Sequence, residues 1–261
     1  MEIIILPAYE QVSQEVSARI VSAVRKNPGL VLGLATGKTM IGVYQNLVQA
    51  YQKENIDFSK VKTFNLDEYI GLDSDDPITF HSYMKENLFS KTNIKSKNTY
   101  ILPTRPKSIE GACRKFENLI KKSGGIDLQI LGIGREGHIG FNESSSSLQA
   151  RTRVKTLTET TLSDNFGLEK GPKFALTMGI GTIMDSKEII LVASGKEKAE
   201  ATAKAVEDPI SSSCPASILQ FHRNTKIIID QEAASLLKRK DYYLWVWKHK
   251  NEVYDVIKEK K

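Results

Sequence analysis

The stretch LVLGLATGKT at residues 30–39 decides the fold. Leu30–Ala35 is a short apolar run of the kind that builds a buried strand, and Thr36-Gly37-Lys38-Thr39 follows as a turn before an amphipathic segment. Short Val/Ile/Leu-rich runs alternate with amphipathic segments in this way along most of the chain. The alternation is typical of parallel strands joined by crossover helices. We therefore predict a single α/β domain with a doubly wound, mostly parallel sheet and helices on both faces.

The same periodicity predicts the individual elements. The predicted strands are Glu2–Leu6, Leu30–Ala35, Val61–Leu66, Thr99–Leu102, Asp127–Ile133, Glu188–Ala193 and Lys226–Ile229. The predicted helices are Tyr9–Lys26, Met40–Asn55, Thr79–Phe89, Ile109–Lys122, Lys196–Glu207 and Gln231–Lys240. The polar, glycine-bearing stretch Thr156–Pro172 is interpreted as a mobile segment. Residues 1–237 are expected to form the domain, and residues 238–261 a basic, aromatic C-terminal helix or tail.

The composition is that of a globular protein and excludes disordered, collagen-like and membrane-spanning chains. The chain has 261 residues, of which 40% are hydrophobic and 26% charged, as in ordinary globular proteins. Its apolar runs are shorter than the roughly 18–20 residues of a membrane span, so we expect a cytoplasmic protein without a membrane partner. Cys113 and Cys214 lack metal or redox spacing and are interpreted as reduced thiols.

The net charge of +6 is concentrated at the C-terminus. The segment from Lys238 to Lys261 holds eight Lys/Arg and four Asp/Glu, which leaves +2 for the rest of the chain. Its aromatic residues could stack on bases. An amphipathic helix that packs its rings on the body and exposes its lysines explains the same pattern, and no nucleic-acid partner is expected.

Unusual polar residues follow four of the predicted strands. Thr36–Thr39, Asp67-Glu68, a glycine-rich segment that reaches His138, and Lys198 each come after a strand end. Because ligands bind at the carboxyl ends of strands in open parallel sheets, these groups are expected to line one cleft.

Two glycine-containing segments have more than one interpretation. Thr36–Thr39 before a helix fits an anion site built from backbone N–H groups, and equally a tight turn with a helix cap. It lacks the glycine spacing of a nucleotide P-loop. Gly132–Gly137 has dinucleotide spacing, but the residues after it begin a helix poorly, so the glycines are interpreted as allowing backbone to approach a ligand. No cofactor is expected.

The acidic and imidazole groups suit proton transfer. Glu136 and Glu143 flank His138, and a carboxylate beside an imidazole fixes its tautomer and raises its pKa. Asp67 beside Glu68 is either a helix cap or a base whose pKa its neighbour raises. Metal-binding His or Cys patterns do not occur, so no metal is expected. These groups favour proton transfer on a small phosphorylated metabolite, for which a sugar phosphate fits best.

Four blocks together resemble the glucosamine-6-phosphate deaminase family. They are FNLDEY at 64–69, GIGREGHIGFNE at 132–143, RTRVKTL at 151–157 and ALTMGIGT at 175–182. The resemblance covers about residues 1–230 in order, and the joint occurrence of the blocks is more specific than any one of them. The wider superfamily includes galactosamine-6-phosphate isomerases and 6-phosphogluconolactonases.

The resemblance implies a doubly wound fold that converts glucosamine 6-phosphate to fructose 6-phosphate and ammonia. His138, supported by Glu143 and Glu136, would open the sugar ring, and Asp67 would carry a proton between C2 and C1. The phosphate would be held by Thr36, Gly37, Lys38, Thr39 and Lys198. Some members form homo-oligomers activated by N-acetylglucosamine 6-phosphate, and the corresponding contacts would be Ser146, Ser147, Arg153, Lys155 and Thr156.

Three departures from the family pattern keep alternatives open. Glu136 stands where the family usually has Asp, the lid arginine has no counterpart in the shortened segment Leu162–Gly167, and residues 211–217 differ from those of the allosteric hexamers. The first two motivate a galactosamine-6-phosphate enzyme, or a sugar-phosphate-binding regulator without catalysis, as rival hypotheses. A 6-phosphogluconolactonase is a further alternative that would not need the base at Asp67.

Overall fold

The computed structural model describes residues 1–167, 171–250 and 252. The strands in this part of the chain are short and separated by helices. They are β1 (Glu2–Leu6), β2 (Val31–Leu34), β3 (Lys62–Asn65), β4 (Asp67–Tyr69), β5 (Thr99–Tyr100), β6 (Leu128–Gly132), β7 (Arg153–Thr156), β8 (Phe174–Thr177), β9 (Glu188–Ala193) and β10 (Thr225–Asp230).

The helices range from five to eighteen residues. They are α1 (Tyr9–Lys26), α2 (Lys38–Glu54), α3 (Phe80–Asn87), α4 (Ile109–Lys122), α5 (Glu159–Phe166), α6 (Ile180–Met184), α7 (Ala199–Glu207) and α8 (Lys240–His249). Within the described residues, none of them has the length and apolarity needed to span a bilayer.

Seven strands form one parallel sheet in the order β1-β10-β9-β6-β2-β3-β5. From β2 the chain moves outward through β3 to β5, and from β6 it moves outward in the opposite direction through β9 to β10. The strand order therefore reverses between β2 and β6, and such a reversal opens a crevice at the carboxyl ends of the strands. The predicted doubly wound α/β fold is confirmed.

A second sheet, β4-β8-β7, is antiparallel and lies where β3 ends. Leu66 alone separates β3 from β4, and the Leu66 carbonyl accepts a 2.6 Å hydrogen bond from the Met178 backbone just beyond β8. The chain thus leaves the parallel sheet and enters the small sheet within two residues, which brings Asp67 to the carboxyl edge of the main sheet.

The core lies on both faces of the main sheet. Residues 189–193 of β9 and 227–230 of β10 are all buried, as expected for central parallel strands covered on both sides. A smaller cluster of Tyr69, Phe141, Leu157 and Ala175 packs beneath the small sheet. It fixes the loop after β6 and helix α5 against β4.

The seven parallel strands lie where the sequence predicts them, with shifts of one or two residues at several ends. The predicted helix Gln231–Lys240 is wrong, because residues 231–236 form successive turns around the Asp230 side chain, which accepts the Ala233 N–H at 2.8 Å. The small sheet and α6 were not predicted. Helix α5 lies within the stretch interpreted as mobile, of which residues 168–170 fall outside the described part.

The C-terminal segment begins with helix α8. The helix packs against β1, and Glu207 accepts hydrogen bonds from the backbone N–H groups of Lys238 and Arg239 at 2.8 and 2.9 Å. Residues 251 and 253–261 of the predicted tail lie outside the described residues. The division at residue 237 therefore stays a prediction.

Candidate active site

Asp67 is the buried carboxyl group of the site. It lies on β4 opposite Thr177 of β8, and only 6% of its surface is exposed. Burial, and secondarily the charge of neighbouring Glu68, raise the pKa of Asp67 to about 8. A carboxyl group with a pKa in this range can both accept and return a proton near neutral pH, as a shuttling base must.

His138 and Glu143 come from the loop that follows β6. His138 Nδ1 lies 3.1 Å from Glu143 Oε2, and the Glu143 side chain is almost fully buried. The ring also lies against Gly134, where an added Cβ atom would be 2.1 Å from His138 Nε2. Glycine at 134 therefore leaves the space that the imidazole occupies.

The loop meets Asp67 across the small sheet. The Phe141 N–H donates to Thr177 Oγ1 at 3.0 Å, so the loop is fastened to the residue opposite Asp67. Gly140, at φ +54°, passes so close that an added Cβ would lie 2.9 Å from Thr177 Oγ1 and 3.5 Å from Asp67 Oδ2. The loop that carries His138 and Glu143 therefore passes next to the Asp67 carboxyl group.

Helix α5 supports Glu143 from the side opposite His138. The Thr161 hydroxyl donates to Glu143 Oε1 at 2.6 Å, while Thr158 caps the helix by accepting the Thr161 N–H at 3.2 Å. Burial acts to raise the pKa of Glu143, but pairing with His138, the Thr161 hydrogen bond and the charge of Lys155 outweigh it. The pKa of Glu143 is therefore lowered, and the carboxylate form is maintained beside the imidazole.

The predicted anion loop lies at the carboxyl end of β2. Gly37, at φ +101°, is the cap from which α2 begins, and its carbonyl accepts a 2.8 Å hydrogen bond from the Tyr83 hydroxyl. Tyr44 of α2 donates its hydroxyl to the Ala35 carbonyl. Burial, then the charges of Tyr83 and Asp67, raise the pKa of Tyr44.

Lys198 and Glu136 lie in different surroundings. Lys198 ends a short 3-10 helix after β9, the strand beside β6, and it is half-buried. Gly195, before that helix, is held by Asp230, whose carboxylate accepts its N–H at 3.0 Å. Glu136 is exposed, and the described residues offer it no hydrogen bond or ion pair with His138. The structure therefore brings Glu143, but not Glu136, to the imidazole.

The predicted effector residues lie along the same loop and on β7. Arg153 is half-buried and donates to Asn142 Oδ1 at 2.8 Å, and Lys155 shares its face of the strand. Thr156 points to the other, exposed face, Ser147 is exposed, and Ser146 is buried. Arg153 and Lys155 thus lie next to the residues that hold Glu143.

The chain matches known proteins over most of its length. The family described as glucosamine-6-phosphate isomerases/6-phosphogluconolactonase matches residues 8–228. The chain belongs to this family. A glucosamine-6-phosphate deaminase from Thermoanaerobacter sp. (strain X514) is 46% identical over 245 residues, which are 92% of this chain and 97% of the relative.

Solved structures of family members have the same fold. A monomeric glucosamine-6-phosphate deaminase has a TM-score of 0.88 at 44% identity, over 90% of this chain and 100% of that one. A 6-phosphogluconolactonase from Trypanosoma cruzi has a TM-score of 0.74 at 18% identity, over 91% of this chain and 97% of that one, and this likeness concerns the fold alone. The resemblance that the sequence blocks indicate is confirmed.

Sequence reasoning missed the residues that hold the acid–base groups in place. Thr161, Thr177 and Asn142 make buried hydrogen bonds around Glu143 and the loop, yet single threonines and asparagines carry little pattern in a sequence. One feature could have indicated α5. Leu157 and Leu162 flank the Thr158 cap as a hydrophobic staple flanks a helix start.

Proposed function

We propose that this protein catalyses the isomerising deamination of glucosamine 6-phosphate to fructose 6-phosphate and ammonia. The observation that carries the proposal is that the loop bearing the His138–Glu143 pair passes next to buried Asp67, in a chain 44% identical to a structurally known deaminase. The overall reaction consumes one water: glucosamine 6-phosphate and water give fructose 6-phosphate and ammonia.

Substrate binding begins with the phosphate. The N-terminus of α2 and residues Thr36–Thr39 offer backbone N–H groups and a helix dipole, and Lys38 and Lys198 add positive charge. We assign the phosphate to this end of the site. The sugar then extends toward Asp67 and His138, which follow β3 and β6, the strands on either side of β2.

We assign ring opening to His138. The imidazole accepts the proton of the C1 hydroxyl and returns a proton to the ring oxygen, which breaks the C1–O bond of the hemiacetal and leaves an aldehyde. Glu143 stabilises the imidazolium that forms between these two transfers, because its carboxylate lies 3.1 Å from Nδ1. Glu136 is retained as a predicted supporting acid.

Isomerisation falls to Asp67. Its carboxylate removes the C2 proton while the C1 oxygen takes up a proton that the ammonium group gives up, which forms an enolamine. Asp67 then returns its proton to C1, which leaves a C1 hydroxyl and a C2 iminium group. Water adds to C2, and the nitrogen leaves as ammonium, that is, as ammonia and a proton. The cationic amino group of the bound substrate favours the ionised form of Asp67, which offsets the cost of burying this carboxylate.

The proposal also includes regulation by an effector and assembly into a homo-oligomer. We assign an N-acetylglucosamine 6-phosphate effector to Ser146, Ser147, Arg153, Lys155 and Thr156. The Arg153–Asn142 hydrogen bond supports a link from that site to the catalytic loop. Homo-oligomer formation and cytoplasmic location stay predictions from the sequence.

An assay of ammonia and ketose phosphate tests the function. The purified protein is incubated with glucosamine 6-phosphate, galactosamine 6-phosphate or 6-phosphogluconolactone, with and without N-acetylglucosamine 6-phosphate. We expect fastest ammonia release from glucosamine 6-phosphate. Faster turnover of the galacto epimer, lactone hydrolysis alone, or tight sugar-phosphate binding without ammonia release would each contradict the proposal.

A further inference from the structure

A cavity of about 1150 Å³ lies between α3, α4 and the region of β5. Among the described residues that line it are none of those assigned above to catalysis or phosphate binding. Its volume slightly exceeds the range of about 300–1000 Å³ for small-molecule sites, so a small molecule would fill only part of it. The fold therefore contains a second concave surface of ligand size, separate from the candidate active site.

The cavity has an apolar floor and a cationic rim. Leu102 and Phe116 are buried side chains of its lining, together with the partly buried ring of Tyr100. Lys85 of α3 and Lys115 of α4 lie on opposite helices of the rim. An apolar floor next to cations fits a molecule that has both a hydrophobic body and an anionic group.

The positive charge of the rim is only partly neutralised. Arg105 pairs with Asp73 at 2.9 Å, and Asp75 is a carboxylate within the lining. In the described part of the chain, Lys85, Lys107 and Lys115 have no carboxylate oxygen within 4.0 Å. These three ammonium groups therefore remain available to a bound anion.

Helix α4 contributes a further electrostatic feature. Ser108 caps this helix, and Ser108, Gly111 and Ala112 of its first turn line the cavity. The helix has fourteen residues, so its N-terminal end carries the positive pole of a full dipole. Glu110 also lies in this turn but does not line the cavity. The N-terminal end of the helix and the lysines therefore both favour an anionic ligand.

One wall of the cavity leads to the candidate base. His81 lines the cavity with about a third of its side chain exposed, and its Nδ1 lies 2.7 Å from Glu68 Oε2. Glu68 is fully buried and accepts backbone N–H groups from Tyr69, Phe80 and His81 at 2.8, 3.0 and 2.9 Å. Glu68 contacts His81 in this wall and is adjacent to Asp67 in β4. The buried Glu68 carboxylate therefore lies between the cavity and Asp67.

We propose that this cavity binds a small phosphate monoester with an apolar body. The apolar lining around Leu102 and Phe116 holds the body, and the ammonium groups of Lys85, Lys107 and Lys115 hold the phosphate. The binding does not rest on the proposed function.

Phenyl phosphate is the probe for binding, measured by titration calorimetry. Saturating fructose 6-phosphate occupies the active site, and without ammonia it is not consumed. We expect the double variant Lys85→Gln/Lys115→Gln to bind at least about tenfold more weakly, because two charge-assisted contacts are lost. Lys121→Gln, also on α4 but outside the lining, is the matched control and should bind as the parent does. Equal binding by the double variant, or displacement of phenyl phosphate by fructose 6-phosphate, overturns the proposal.

The binding test is independent of the proposed function. Failure of the proposed function would appear as missing ammonia release in the activity assay, which contains no phenyl phosphate, and would leave the calorimetric result unchanged.

Discussion

Replacing Thr161 by valine removes the hydrogen bond that this residue donates to the proposed catalytic carboxylate, Glu143. The two side chains have nearly the same shape, and the helix cap uses the Thr161 backbone N–H, which valine retains. Two contacts of the hydroxyl are lost: the 2.6 Å bond that it donates to Glu143 Oε1, and the 3.1 Å bond that it accepts from the Thr158 hydroxyl. Among the described residues, Glu143 then keeps the imidazole of His138 as the partner that orients its buried carboxylate.

The expected size of the effect follows from this contact. A hydrogen bond to a charged group contributes about 1.5–3 kcal/mol, and each 1.4 kcal/mol or so of lost transition-state stabilisation lowers the rate tenfold. If the full contribution is used to orient Glu143, kcat falls about 10- to 100-fold. Because the Thr161 hydrogen bond also helps to lower the pKa of Glu143, its removal moves the acidic limb of kcat to higher pH.

The assay is ammonia release as a function of pH, with thermal unfolding measured in parallel. Thr161→Ser keeps the hydroxyl and should recover most of the activity. Thr160→Val places the same change at an exposed position of α5 and should leave kcat unchanged. The reasoning is refuted if Thr161→Val retains the kcat and the acidic limb of the parent, or if Thr161→Ser is equally impaired.

Three further predictions concern the charged groups. Asp67→Asn should abolish turnover. Its stability relative to the parent should rise as the pH rises from about 4 to about 8, because the native parent retains a proton up to about 8 that its unfolded chain loses near 3.8; a constant difference in Tm would contradict this. Lys198→Ala should raise KM about tenfold with little change in kcat, as steady-state kinetics would reveal, and an unchanged KM would remove its assigned role. Glu143→Gln should lower kcat more than Glu136→Gln, because only Glu143 reaches His138; equal losses would restore Glu136 to the site.

The pKa of Asp67 also sets the pH dependence of kcat/KM, which reports on the free enzyme. A base must be deprotonated to act, so kcat/KM should rise with pH and level off above about 8. Rates measured at low substrate concentration across this range provide the test. A profile that is flat from neutral to alkaline pH would assign the base to a group other than Asp67.

The parallel sheet could be predicted from the sequence because most of its strands contain an uninterrupted apolar run. Residues 189–193 of β9 are all buried, and burial on both faces of a sheet leaves a pattern of this kind. The small sheet lacks such a run. β4 contains two acidic residues, and β7 alternates half-buried Arg153 and Lys155 with exposed Val154 and Thr156, so these strands depend on contacts with distant segments.

The sequence predicted the proposed acid–base residues of the candidate site, but not the residues that hold them in position. Asp67 and His138 follow predicted strands, and the rule that strand ends share one edge brings them together. The choice between Glu136 and Glu143 required the structure, because both flank His138 in the sequence and only the loop path turns Glu143 toward Nδ1. The role of α5 depended on the Thr161 contact, which joins residues eighteen positions apart.

Proton exchange at C2 tests the central claim most directly. Glucosamine 6-phosphate is incubated in heavy water with the parent or Asp67→Asn, and deuterium in the sugar phosphate and released ammonia are measured together. The account predicts ammonia release by the parent, with solvent deuterium at C1 of the fructose 6-phosphate to the extent that the proton held by Asp67 exchanges with water before it is returned, and neither with Asp67→Asn. Full ammonia release and deuterium incorporation by Asp67→Asn would contradict it.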